Sequence, residues 1–174
     1  SRRILEAARA LGFPLKIHVD EFKPLGGAAL AVGLGALWLD HLVATSPAEI
    51  ALLGTAETVA VSLPCTPFGL GHHEYTPARA LLEAGAALAL ATDCNPGTAW
   101  NESMPFVSAL ACRYLQLTPA QALVAATLNA AFAVGMGDRV GSLTPGKVAD
   151  VLVLDAPDYR YLGYRFGTNP VAQV

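Results

Sequence analysis

Four short apolar runs, each closing on polar residues and each followed by a helix-forming segment, constrain this chain more than any other feature. They are LKIHV (Leu15 to Val19), ALWLDHLV (Ala36 to Val43), TVAVSLP (Thr58 to Pro64) and ALALATDCNPG (Ala87 to Gly97), the last stopping dead at Asp93. A strand buried on both faces reads as a continuous hydrophobic run rather than an alternating one. The segments between the runs carry helix signals. Gly27 to Gly35 is a run of small residues suited to a helix packed close on a sheet. Ser46-Pro47-Ala48-Glu49 has the capping-box spacing with proline at the first helical position, and Thr118-Pro119-Ala120-Gln121 repeats it.

Thr76-Pro77 is read as the cap of PARALLEAG, with Gly85 as its C-terminal stop, and a further helix is expected from about Ser103 to Leu115. The helix opened by Thr118 is expected to carry TLNAAFAVGM, and Ile4, Leu5, Ala8 and Leu11 recur at helical spacing before Gly12 and Pro14.

Parallel neighbours need crossover connections, so four βα units in succession predict a parallel sheet. Four units are half of a (β/α)8 barrel, which takes about 250 residues when complete. With 174 residues, the chain is either a small open α/β domain or the C-terminal half of such a barrel. Its end favours the second reading. After Gly137 the alternation stops, and a hairpin is predicted from Val140–Leu143 and Val148–Leu154 around Thr144-Pro145-Gly146. An irregular tail carrying Tyr159, Tyr161, Tyr164 and Phe166 follows and is expected to pack on something else. Residues 1–137 are therefore assigned to the half barrel, and 138–174 to a hairpin and tail belonging to a small β-sandwich domain.

Composition excludes several classes of function. The chain is 53% hydrophobic and 14% charged with a net charge of -3, which argues for a packed core, and its 11 Lys and Arg form no basic face for nucleic acid or anionic lipid. No apolar run reaches the length of about 18 residues that spans a membrane. The start, SRRILEAARALGF, reads as an amphipathic helix without a signal peptide's cleavage site. Cys65, Cys94 and Cys112 are an odd number without CxxC spacing, which predicts free thiols and a cytoplasmic setting.

The polar residues at the strand ends carry the chemistry. His18 and Glu21 follow the first run, His41 lies near the end of the second and Asp93 ends the fourth, so all are expected on the C-terminal rim, where α/β proteins place their sites. A lone strand-end histidine is usually structural. Three strands delivering His, His and Asp to one rim point instead to metal-assisted hydrolysis, because imidazole and carboxylate suit zinc or iron and a bound metal lowers the pKa of water. Asp20 and Asp40 precede site candidates and are read as residues that orient them. His72 and His73 are read as a solvated loop pair, and Cys65 and Cys112 as small core residues.

KIHVDEF, LDHL, LPCTPF, ALATDCNPGT and TLNAAFAVGMGDRVGSLTPGKVADVLVLD together resemble the C-terminal half of the imidazolonepropionase family, within the metal-dependent amidohydrolase superfamily. GSLTPGKVADVLVLD is shared across the superfamily, whereas HVDEF and TDCNPGT are the specific pieces. The resemblance implies that the four units are barrel strands five to eight. It also implies that the family's activity applies: hydrolysis of the ring amide of 4-imidazolone-5-propanoate to N-formimino-L-glutamate in histidine degradation, with one zinc or iron ion.

Carried over by position, His18 and Asp93 are implied metal ligands and Asp93 takes the proton of the attacking water. Glu21 is implied to bind the substrate ring and to pass a proton to the leaving nitrogen, and His41 to stabilise charge on the carbonyl oxygen. Asn95, Gly97 and Thr98 are implied to hold the carboxylate end of substrate or product. The family's HxH ligands lie upstream of these residues, so the missing N-terminal half of the barrel is an expected partner, as are the small-molecule substrate and a second copy in a homodimer. The chain by itself is expected to bind metal weakly and to turn nothing over. Cys94 stands where the family pattern has an aromatic residue. Two other readings remain open: a purine-type ring deaminase of the same superfamily, and a non-catalytic α/β binding module. Bare outer strand edges would count against the module.

Overall fold

The apolar runs all become strands, each shorter than the run that announces it. The computed structural model describes all 174 residues, Ser1 to Val174. After helix α1 (Arg2–Ala10) come β1 (Lys16–Val19), α2 (Gly27–Gly33), β2 (Trp38–His41), α3 (Pro47–Leu53), β3 (Val59–Ser62), α4 (Cys65–Gly69), α5 (Ala78–Glu83) and β4 (Leu88–Leu90). The remaining elements are α6 (Met104–Tyr114), α7 (Pro119–Ala126), α8 (Leu128–Ala133), β5 (Val153–Leu154), α9 (Tyr161–Tyr164) and β6 (Val171–Gln173).

The first four strands form one parallel sheet in the order β1-β2-β3-β4. A doubly wound sheet reverses direction at a switch point, whereas a strictly sequential parallel order is that of a barrel wall. The sheet is thus a partial α/β barrel. β1 and β4 each pair on one side only, the bare parallel edges that count against a self-sufficient binding module.

Side-chain parity divides the sheet. Val19, Leu39, Ala60, Leu88 and Leu90 join Ala28 and Ala31 of α2, Leu53 of α3, Leu81 of α5, Val107 and Leu110 of α6 and Ala125 of α7 in the main core. Full burial of each such leucine contributes about 1.5–3 kcal/mol. The opposite parity, Val59, Val61, Leu63 and Ala89, forms a small second cluster with Ala133 of α8. His18 and Asp40 are register partners between β1 and β2 and belong to this second face.

Local signals hold where the chain supplies both partners. Ser46 and Glu49 complete a reciprocal cap on α3, and Thr118 and Gln121 do the same on α7. The Ser103 hydroxyl accepts from the Phe106 amide to start α6, and Gly85 follows α5 at φ 94°.

Several expectations of local structure fail. Thr76 does not cap α5: its hydroxyl donates 2.7 Å to the His41 carbonyl and accepts from Ser62 Oγ at 2.8 Å, all three residues being buried. The helix through TLNAAFAVGM breaks at Thr127 (φ -123°, ψ -83°), whose hydroxyl bonds back to the Leu123 carbonyl. The break lets Asn129 Nδ2 donate 2.8 Å to the Leu88 carbonyl, the carbonyl that alternation aims at the free edge of β4. The segment after β3 opens with the short helix α4 before the His72-His73 loop.

The predicted hairpin is also absent. Its turn closes, with Lys147 N donating to Thr144 O and Val148 N to Arg139 O, but no ladder follows, because the second predicted strand takes a different partner. Val153 and Leu154 pair instead with Val171–Gln173, antiparallel. The aromatic tail is less irregular than expected and packs within the chain. Arg113 of α6 donates to the Gly163 carbonyl at 3.0 Å and lies 5.0 Å from the Phe166 ring centroid. No helix is long and apolar enough to cross a membrane.

Candidate active site

The rim at the C-terminal ends of β1, β2 and β4 is built from residues in unusual backbone conformations. Asp20 (φ 49°), His41 (φ 75°), Leu42 (φ 59°) and Asp93 (φ 51°) all occupy the left-handed region, which costs a non-glycine residue on the order of 1 kcal/mol and recurs where function demands it. His41 shows the consequence. It is the register partner of Val19, whose side chain faces the helices, yet His41 Nε2 lies 3.0 Å from His18 Nδ1. The left-handed turn redirects the imidazole that strand alternation would otherwise aim at the helices, and it stays buried.

His18, Glu21 and His41 meet as expected. His41 Nε2 is 3.7 Å from Glu21 Oε2, and Asp40 Oδ2 is 3.8 Å from His18 Nδ1. His41 is buried, and burial lowers its pKa to about 4, against the opposing pull of Asp93. It is therefore a neutral imidazole at pH 7, and its contact with Glu21 is no ion pair. Burial raises the pKa of Glu21, and the Asp93 carboxylate raises it further. The Asp40 carboxyl is likewise raised by burial, with His18 and Lys16 opposing.

Asp93 reaches the same rim from the fourth strand but bonds to none of these residues. Its Oδ2 accepts from Thr66 Oγ1 at 2.6 Å, and its carbonyl accepts from Asn95 Nδ2 at 2.7 Å. Asn95 Oδ1 in turn accepts the amides of Gly97 and Thr98, both at 2.9 Å. The candidate substrate grip is thus a self-bonded loop. Gly69 admits that loop, because a Cβ there would come within 2.1 Å of the Thr98 carbonyl oxygen.

Two clefts flank the rim. One, of about 240 Å³, is lined by His18, Asp40, Asp93 and the inner-face residues Val61 and Ala89. The other, of about 420 Å³, runs outward past Glu21, Phe22, Thr66, His72 and His73. His72 and His73 are exposed as expected, although His72 sits edge-on to Phe22 at 6.1 Å. Asp20 departs from its expected role: its Oδ1 accepts from Leu25 N at 3.0 Å and Gly27 N at 3.5 Å, securing the start of α2. Cys65 is buried and its thiol is pushed up to about 11 by burial, so it is no nucleophile. Cys112 is half-buried and also raised by burial, and Cys94 is exposed.

The donor set fits a cation in kind. It combines imidazole with carboxylate, and Asp40 Oδ2 is buried with no donor, an orphan oxygen that a nearby positive charge would satisfy. No three His, Cys, Asp or Glu side chains converge into a cluster able to hold a metal by themselves. Sequence reasoning missed Thr66, Thr76 and Ser62. Ser62 and Thr66 gave only their position, at and just beyond the end of β3, and Thr76 gave a helix-cap signal that concealed its contact with β2.

The partial α/β barrel is the fold of solved amidohydrolases. The chain matches the amidohydrolase family over residues 2–173 and belongs to it. Among curated relatives, it is 64% identical over 174 residues to the imidazolonepropionase of Herpetosiphon aurantiacus and 53% identical to that of Chloroflexus aggregans. It is covered completely in both comparisons and spans 41% of the length of each relative. The resemblance read from HVDEF and TDCNPGT is borne out.

Two solved structures place the fold. An adenosine deaminase from Xanthomonas campestris with bound zinc superposes with a TM-score of 0.73 at 27% identity, over 88% of this chain and 40% of that one. An amidohydrolase from a Sargasso Sea environmental sample gives 0.70 at 25% identity, over 98% and 41%.

Proposed function

We propose that these residues form the C-terminal half of the active site of a metal-dependent cyclic amide hydrolase that opens 4-imidazolone-5-propanoate to N-formimino-L-glutamate in histidine degradation. The observation that carries the reading is the meeting of His18, His41 and Glu21 at one rim, 3.0 and 3.7 Å apart, within the pull of Asp93 from the fourth strand. The 64% identity to an imidazolonepropionase supports the choice of substrate.

His18 and Asp93 would hold the metal, zinc or iron, with the remaining ligands supplied by the N-terminal half of the barrel. When bound, the metal polarises the ring carbonyl and acidifies the attacking water. Asp93 accepts that water's proton through the carboxylate oxygen that Thr66 leaves free. Glu21, its pKa raised by burial, delivers a proton to the departing ring nitrogen. His41, neutral and with its Nε2 3.0 Å from His18 Nδ1, turns its ring to the carbonyl oxygen as charge develops there. Asn95 anchors the loop, and the Gly97 and Thr98 amides exchange its Oδ1 for the substrate carboxylate. Free thiols at Cys65, Cys94 and Cys112 support a reducing, cytoplasmic setting.

The test is a direct assay of the metal-loaded full-length protein. Ring opening of the imidazolone without ammonia release from adenosine or guanine is expected. The reverse would establish the second reading, a ring deaminase, which the likeness to a zinc-bound adenosine deaminase favours.

A further inference from the structure

We infer that Thr66 is a positioning residue for Asp93, holding one carboxylate oxygen so that the other is presented to the metal and the attacking water. The inference deepens the hydrolase reading above and rests on it for the role of Asp93.

Three observations converge. The Thr66 side chain is essentially inaccessible, at 1% exposure, although it lies in the first turn of α4 beside the 420 Å³ cleft. A buried threonine needs a partner for its hydroxyl, and in a helix the usual one is a carbonyl a turn back. Thr66 does not take that option: its Oγ1 donates to Asp93 Oδ2 across 27 residues at 2.6 Å, within the range of a charge-assisted O–H···O bond. Asp93 is meanwhile held at φ 51°, with its carbonyl fixed by Asn95. Backbone and one carboxylate oxygen are thereby both immobilised, and Oδ1 makes no hydrogen bond. Side chains that orient a metal ligand in this way typically contribute 10–100-fold to affinity or activity.

The geometry also explains why a threonine serves here. Its hydroxyl selects one orientation of the carboxylate, and its side chain is buried. Valine keeps the shape and loses the donor, whereas serine keeps the donor and loses the methyl.

The experiment compares wild type, Thr66→Val and Thr66→Ser in the metal-loaded full-length protein. It measures the rate of zinc loss to a chelator, kcat and KM for imidazolone opening, and the melting temperature. Thr66→Val is expected to lose zinc at least about 10-fold faster and to lower kcat about 10-fold or more, with KM within about twofold and little change in melting temperature. Thr66→Ser is expected to stay within about threefold of wild type.

Wild-type zinc retention and kcat in Thr66→Val would overturn the inference, and so would a Thr66→Ser defect as large as that of valine, which would make the methyl the active part. If wild type holds zinc without opening the imidazolone, faster zinc loss from Thr66→Val still supports Thr66 while the substrate assignment falls. If wild type holds no zinc, both fall.

Discussion

Residues 1–137 and 138–174 carry similar apolar strand signals and meet opposite fates. Every buried side chain of the molecule lies in the first region, and none lies in the second. Val61, Leu88 and Leu90 sit in strands whose faces are covered by helices or by α8. Leu143, Val148, Leu152 and Val153 are equally apolar and are exposed. Within these 174 residues, an apolar run is buried where its own βα unit supplies a covering helix. The βα unit carries its cover along, as Ala28 and Leu81 do for the strands beside them. The segment after Gly137 carries only a two-stranded ladder.

The sharpest way to use the contrast is through activity, because the rim belongs wholly to the first region. Asp93→Asn in the full-length protein removes both ligand charge and proton acceptor, and steady-state assay should show kcat lower by on the order of 10³-fold. Next is core packing. Leu81→Ala, at a fully buried site between α5 and the sheet, should cost about 2–5 kcal/mol in denaturant unfolding. A loss below 1 kcal/mol would mean that the first region is far looser than its burial indicates.

Acid should weaken the first region through His41. Its folded pKa of about 4 lies below its ordinary value of 6.5, so the unfolded chain binds the proton first. Stability is then complete above pH 6.5 and declines as pH falls towards 4, by at most about 3 kcal/mol. Glu21 and Asp40, both raised, work in the opposite direction and blunt the lower end. Denaturation series at pH 7, 6 and 5 should reveal the slope, and His41→Gln should flatten it.

A smaller loss, about 1 kcal/mol, is expected when Ser46→Ala removes the α3 cap, read as a shift in the denaturant midpoint. The smallest is Val153→Ala. At an exposed position of the two-stranded ladder it should change stability by less than about 0.5 kcal/mol, and a loss comparable with Leu81→Ala would erase the distinction between the regions.

Legibility followed the range of each interaction. The caps at Ser46 and Thr118 were readable because both partners sit within four residues. The four strands and their parallel order followed from period and connection length. The rim residues His18, Glu21, His41 and Asp93 were legible as strand-end polar groups, and their arrival at one rim followed from the barrel topology.

What remained hidden was what each side chain does once there. Asp20 secures α2 instead of orienting a neighbour, and Thr76 joins two strands instead of capping a helix. Thr66 grips Asp93 from 27 residues away. The predicted hairpin is absent for the same reason, since Val153 and Leu154 pair with Val171–Gln173, a partner that local pattern does not reveal.

The sequence by itself determined the βα alternation, the helix caps and the set of polar residues at the strand ends, since these depend on periodicity and near neighbours. Only the tertiary structure decided that His41 turns onto His18 and that Asp93 is held by Thr66 and Asn95. Those outcomes depend on left-handed backbone turns and hydroxyl contacts between distant units, which no local pattern encodes.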